Sequence, residues 1–121
     1  MTSVLAIAPP ADATAETCIS ARSGIVCTKV WGTGTYVQSM RTSKNNWTNG
    51  SLVCNYSAWF FYIPSTGGAY GLGYQQRQGC TFSPAWLTQS VNRSFPRNTL
   101  ICGKWFEDIG QFIAEKCVGV S

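Results

Sequence analysis

The sequence predicts a small all-β domain: an antiparallel sandwich or barrel of hairpins with three nearest-neighbour disulfides. Three observations carry this. The chain of 121 residues has six cysteines, and an even number in a short chain is the mark of a disulfide framework made in an oxidising compartment. Three stretches read as hairpins, each with turn residues between two candidate strands. In each of them, pairing a cysteine with its next neighbour closes a hairpin. A zinc site would need cysteines roughly two to four residues apart, or added His. The chain has no His, and its closest pair, Cys18 and Cys27, is wider than that.

Residues 1–15 read as a signal-peptide remnant or flexible leader. A short apolar run, Val4 to Ala8, precedes Pro9-Pro10 and the small-x-small triplet Ala13-Thr14-Ala15. Residues 16–121 then form a single disulfide-stabilised β domain. Cys18 and Cys27 close a small hairpin over Arg22-Ser23, with Gly24 next. Thr35 to Arg41 reads as a strand and Thr42 to Gly50 as a Ser/Asn-rich loop.

Cys54 opposite Cys80 centres a turn on Gly67, within Pro64-Ser-Thr-Gly-Gly68. In that register Phe61 faces Gly73 and Ile63 faces Gly71, so large side chains lie over cross-strand glycines. Tyr56, Phe60 and Tyr62 share a face with Leu72 and Tyr74. The segment 84–91 fits a short helix with Ser83 as N-cap and Pro84 in the first turn. It fits a strand equally well. Asn92 to Asn98 reads as an exposed loop.

Cys102 opposite Cys117 closes on a two-residue turn, Ile109-Gly110. The register sets Lys104 against Glu115, Phe106 against Ile113, Trp105 against Ala114 and Ile101 against Val118, as a correct pairing should. It also demands positive φ at Ile109, a conformation that β-branched residues rarely adopt.

Composition excludes several function classes. With 45% apolar residues and sixteen aromatics by type (Trp 5, Tyr 5, Phe 6), the chain is not disordered. No apolar run approaches the ~18 residues of a membrane-spanning helix. Absence of His excludes Ser-His and Cys-His catalysis, and oxidised cysteines are not nucleophiles. No Gly-x-Ser-x-Gly, Ser-x-x-Lys or P-loop occurs. Glu107 and Asp108 are adjacent and flank a turn, an unsuitable pair for glycoside hydrolysis. No enzyme, metal or cofactor is therefore expected.

Charge is unevenly laid out within the net +4. The acids are Asp12, Glu16, Glu107, Asp108 and Glu115. From Thr17 to Phe106 the basic residues Arg22, Lys29, Arg41, Lys44, Arg77, Arg93, Arg97 and Lys104 meet no acid. Such a surface attracts anionic polymers and membranes, more strongly at low salt. Scattered charges of this kind also simply keep a secreted domain soluble. Nothing matches a nucleic-acid module, so nucleic acid is not expected.

Among the tryptophans, Trp31, Trp59 and Trp105 are expected in the core, and Trp47 and Trp86 partly exposed. Asn46, Asn49, Asn55 and Asn92 begin Asn-x-Ser/Thr sequons. The loop Arg93-Ser-Phe-Pro-Arg97 has the look of a protease inhibitor's bait.

The expected function is a secreted, monomeric, cationic cysteine-rich protein that binds an anionic cell-surface component or membrane surface, in an antimicrobial or toxin-like role. Arg77, Arg93, Arg97, Trp47 and Trp86 are its expected contacts. The alternatives are a protease inhibitor presenting loop 92–98 and a carbohydrate-binding module using exposed Trp.

Overall fold

The computed structural model describes residues 14–120. The expected leader falls almost wholly outside them, and the first strand starts at Ala15, one residue before the expected domain start. Eight strands follow in order: β1 (Ala15–Ala21), β2 (Gly24–Thr33), β3 (Tyr36–Asn46), β4 (Leu52–Ile63), β5 (Tyr70–Phe82), β6 (Ala85–Ser94), β7 (Thr99–Glu107) and β8 (Gln111–Val120). They make two antiparallel four-stranded sheets, β1-β2-β3-β6 and β5-β4-β7-β8. The all-β sandwich is thus the fold.

The core follows from period-two alternation. Val26, Val30, Val37 and Met40 of the first sheet meet Val53, Phe60, Ile101 and Trp105 of the second, all fully buried. Tyr56 stacks on Trp105 with centroids 5.2 Å apart. The sandwich's open sides are bridged by side chains rather than by backbone ladders. On one side Thr17 Oγ1 donates to the Cys117 carbonyl at 2.7 Å. On the other, Gln75 Nε2 donates to Gln89 Oε1 at 2.9 Å.

All three disulfides pair as the nearest-neighbour pattern requires: Cys18–Cys27, Cys54–Cys80 and Cys102–Cys117. Each bridges directly opposed residues of one hairpin. The first hairpin turns over Arg22-Ser23 as expected, with Ala21 facing Gly24.

The other two hairpins depart from the simple register. Between β4 and β5 a bulge at Asn55 and Gly79, both with positive φ, shifts the pairing by one. A second shift follows Phe60. Phe60 therefore faces Gly73, and Phe61 faces Gly71. Tyr74 lies opposite Trp59 on the outer surface instead of beside Phe60, because a one-residue slip changes the face of every side chain. Gly73 is needed for a different reason from the expected one: a Cβ there would collide with the Gln89 carboxamide of β6.

In the third hairpin a shift after Trp105 puts Phe106 against Phe112 rather than Ile113. The connection is three residues, Asp108, Ile109 and Gly110, all with positive φ. The other expected pairs, Lys104 with Glu115 among them, are present.

Segment 84–91 is a strand, not a helix. Ala85 is buried, Trp86 exposed and Leu87 half-buried, a period of two. Pairing of β6 with β3 gives these backbone groups the partners a helix would otherwise supply. The expected loop 42–50 is also shorter, since β3 runs to Asn46 along β2. The loop expected at 92–98 shrinks likewise: Arg93 and Ser94 pair with Val37 and Tyr36. Phe95 is 3% exposed, held in the core against Tyr62.

Candidate functional site

Four turns gather at one end of the sandwich: Arg22-Ser23, Trp47–Ser51, Ser83-Pro84 and Asp108–Gly110. Backbone hydrogen bonds tie them to their neighbours. Trp47 N donates to the Ser23 carbonyl at 3.0 Å, Ser83 N to the Ser51 carbonyl at 2.9 Å, and Asp108 N to the Cys54 carbonyl at 3.2 Å. Asn46 N also donates to Ser83 Oγ at 2.8 Å. The Cys54–Cys80 bridge lies two residues below the cross-strand pair Leu52 and Phe82.

Four large apolar side chains are exposed at this end, among polar turn residues. Trp47 is 56% exposed, Leu52 51%, Phe82 70% and Ile109 89%. Trp86 and Phe112 stand exposed on its shoulders. No Asp, Glu, Lys or Arg lies between Lys44 and Arg77, nor between Arg77 and Arg93. Two cations with no ion-pair partner among the described residues stand at the rim. Arg22 lies beside Gln111 and Phe112, and Arg77 shares a cleft with Ile109. Asp108 is the acid exposed there.

The remaining cations are mostly engaged. Lys44 is fully buried and ion-paired to Glu107. Arg41 lies between the rings of Trp31 and Trp86, 5.3 and 5.5 Å from their centroids. Lys29 also covers Trp31, and Lys104 pairs with Glu115. The acid-free stretch is therefore not one cationic face. One of its charges is neutralised in the core, and others lie over aromatic rings.

The five expected contact residues separate into two groups. Trp47, Trp86 and Arg77 lie at or near the four-turn end. Arg93 and Arg97 lie at the opposite end, beside the β2–β3 turn, where Phe95 N donates to the Thr35 carbonyl. Arg93 covers the Tyr62 and Phe95 rings at 4.9 and 4.8 Å. Within the Arg93–Arg97 segment Phe95 is internal, whereas Arg93, Ser94, Pro96 and Arg97 are exposed.

The tryptophan expectations divide as well. Trp105 is buried and Trp47 and Trp86 exposed, as expected. Trp31 is only half-buried, under Lys29 and Arg41. Trp59 is 49% exposed, because it alternates with the inward Ala58 and Phe60. Of the sequon amides, Asn46 Nδ2 is bonded to Ser51 Oγ and Asn55 Oδ1 to Gly79 N, whereas Asn49 and Asn92 are exposed.

Comparison with protein families, curated proteins and solved structures finds no match. Geometry alone therefore supplies the functional argument. It adds Leu52, Phe82 and Ile109 to the residues singled out from sequence. Their signal was the long uncharged runs and an Ile in a turn.

Proposed function

We propose that this chain is a secreted, non-enzymatic binding protein that docks on a lipid surface with its four-turn end first. One observation carries the reading: Trp47, Leu52, Phe82 and Ile109 all stand exposed at this end, where Asp108 is the acid and Arg22 and Arg77 are the cations. Several large apolar side chains exposed at one end of a small domain are a candidate docking feature. Trp is favoured where one side of the ring is apolar and the other wet. Each rim cation near an anionic leaflet adds about 1 kcal/mol. Disulfides and interturn hydrogen bonds hold the end in shape, so little ordering is lost on docking. An antimicrobial or toxin-like factor needs such a first step.

Co-sedimentation with phosphatidylglycerol and phosphatidylcholine vesicles tests it. Binding should favour the anionic vesicles and weaken, without vanishing, in high salt. Phe82→Ser should weaken it about tenfold, from lost apolar transfer. The double variant Arg93→Ala/Arg97→Ala should bind as wild type. Absence of vesicle binding, or full binding by Phe82→Ser, would exclude this mode of docking.

A further inference from the structure

Beside the four-turn end, the β4–β5 bulge opens a cleft of about 570 Å³. Its shape is set by the positive φ of Asn55 and Gly79 and by the Gly79 N–H donated to Asn55 Oδ1 at 3.0 Å. Tyr74 forms a flat wall. Trp59 packs against that ring with centroids 4.9 Å apart, which fixes its orientation. Tyr74 OH donates to Gln76 Oε1 at 3.1 Å, and this leaves the Gln76 amide N–H groups for the cleft. Arg77 and Gln78 also line it, and neither side chain has a partner among the described residues.

We propose that this cleft binds a saccharide. A sugar ring offers an apolar C–H face and an edge of paired hydroxyls. The Tyr74 ring suits the face, as aromatic surfaces do. The planar groups of Gln76, Gln78 and Arg77 suit the edge, each presenting more than one N–H donor. A few convergent polar groups beside an aromatic wall are the usual makeup of a small-ligand site. A single cation among neutral amides favours hydroxyls over a phosphate, which would draw several cations. The same ring chemistry is found in a soluble glycan and in a glycolipid headgroup. The proposal does not rest on lipid docking, although the cleft opens next to the docking end and shares Arg77 and Ile109 with it.

Amide-resolved NMR of the oxidised chain tests it, with cellotetraose, chitotetraose, maltotetraose and tetragalacturonate as soluble probes. Pull-down on phosphatidylcholine vesicles doped with digalactosyl diacylglycerol adds the lipid-borne source. At least one probe should shift the signals of residues 74–79 or be retained on the doped vesicles. Tyr74→Ala and Arg77→Ala should each weaken that binding about tenfold. Phe82→Ser should leave the soluble-sugar shifts unchanged, which separates failure of this proposal from failure of lipid docking. A cleft whose signals stay still at about 10 mM of every soluble probe, with no gain from the glycolipid, would overturn it. Binding that survives both cleft variants would do so too.

Discussion

Lys44 Nζ lies 2.8 Å from Glu107 Oε2, and the pair joins the two sheets across the interior. Lys44 is on β3 and Glu107 on β7. The same carboxylate oxygen accepts the Trp105 indole N–H at 3.0 Å, and Lys44 also donates to Ser23 Oγ at 2.9 Å. A cation with no solvent access is tolerable only with such partners.

Removing one member should therefore be costly. Glu107→Leu leaves Lys44 buried and unpaired, and should destabilise by about 3–5 kcal/mol. Adding Lys44→Met to that variant should recover most of the loss. Urea midpoints of the wild type and these two variants check this. A Glu107→Leu midpoint near the wild-type value would show that the pair contributes little.

Gly103 of β7 faces Thr42 and Thr28 of the other sheet at close range. A Cβ there would overlap Thr42 Oγ1, and Thr28 Oγ1 is only 3.0 Å away. The two threonine hydroxyls are 3.1 Å apart and buried. Gly103→Ala should cost about 1–3 kcal/mol through overpacking. Thermal unfolding measures it, and an unchanged midpoint would mean the sheets can separate freely.

Burial should set the order in which the disulfides reduce. Cys102 is fully buried, whereas Cys18 and Cys80 are exposed. Thiol–disulfide exchange needs access to sulfur. Graded reductant followed by alkylation and peptide mapping should find Cys102–Cys117 oxidised longest. Its early reduction would show that the β7–β8 hairpin opens readily.

Ile109 sits at φ 62° and is 89% exposed. A β-branched residue is strained there and gains no burial in water. Ile109→Asn should raise stability by about 1 kcal/mol and reduce binding to anionic vesicles. Chemical denaturation beside vesicle co-sedimentation separates the two effects. A variant that is more stable and binds as well as wild type would remove Ile109 from the docking end.

The three-hairpin plan was legible because each cysteine spacing, closed over turn residues, admits few registers. Lys104 facing Glu115 and Trp105 facing Ala114 followed from that alone. What escaped was any shift in the ladder. Gly79 gives no sign in sequence that it is a bulge rather than a plain strand glycine. That single residue moves Tyr74 to the outer face beside Trp59 and creates the cleft. Nor does local pattern show that Lys44 reaches inward to Glu107, since their pairing is set by how the sheets stack. Arg93 and Arg97 were separated from Trp47 by the same long-range geometry. Leu52 opposite Phe82, by contrast, follows directly from the Cys54–Cys80 register.

Fluorescence quenching by vesicles of phosphatidylglycerol with brominated acyl chains tests tip-first docking most directly, because bromine quenches only tryptophans at the bilayer. Docking through the four-turn end predicts quenching in the wild type that is lost in Trp47→Phe/Trp86→Phe and kept in Trp31→Phe/Trp59→Phe. Quenching that survives the first double variant, or is absent from the wild type, would contradict it.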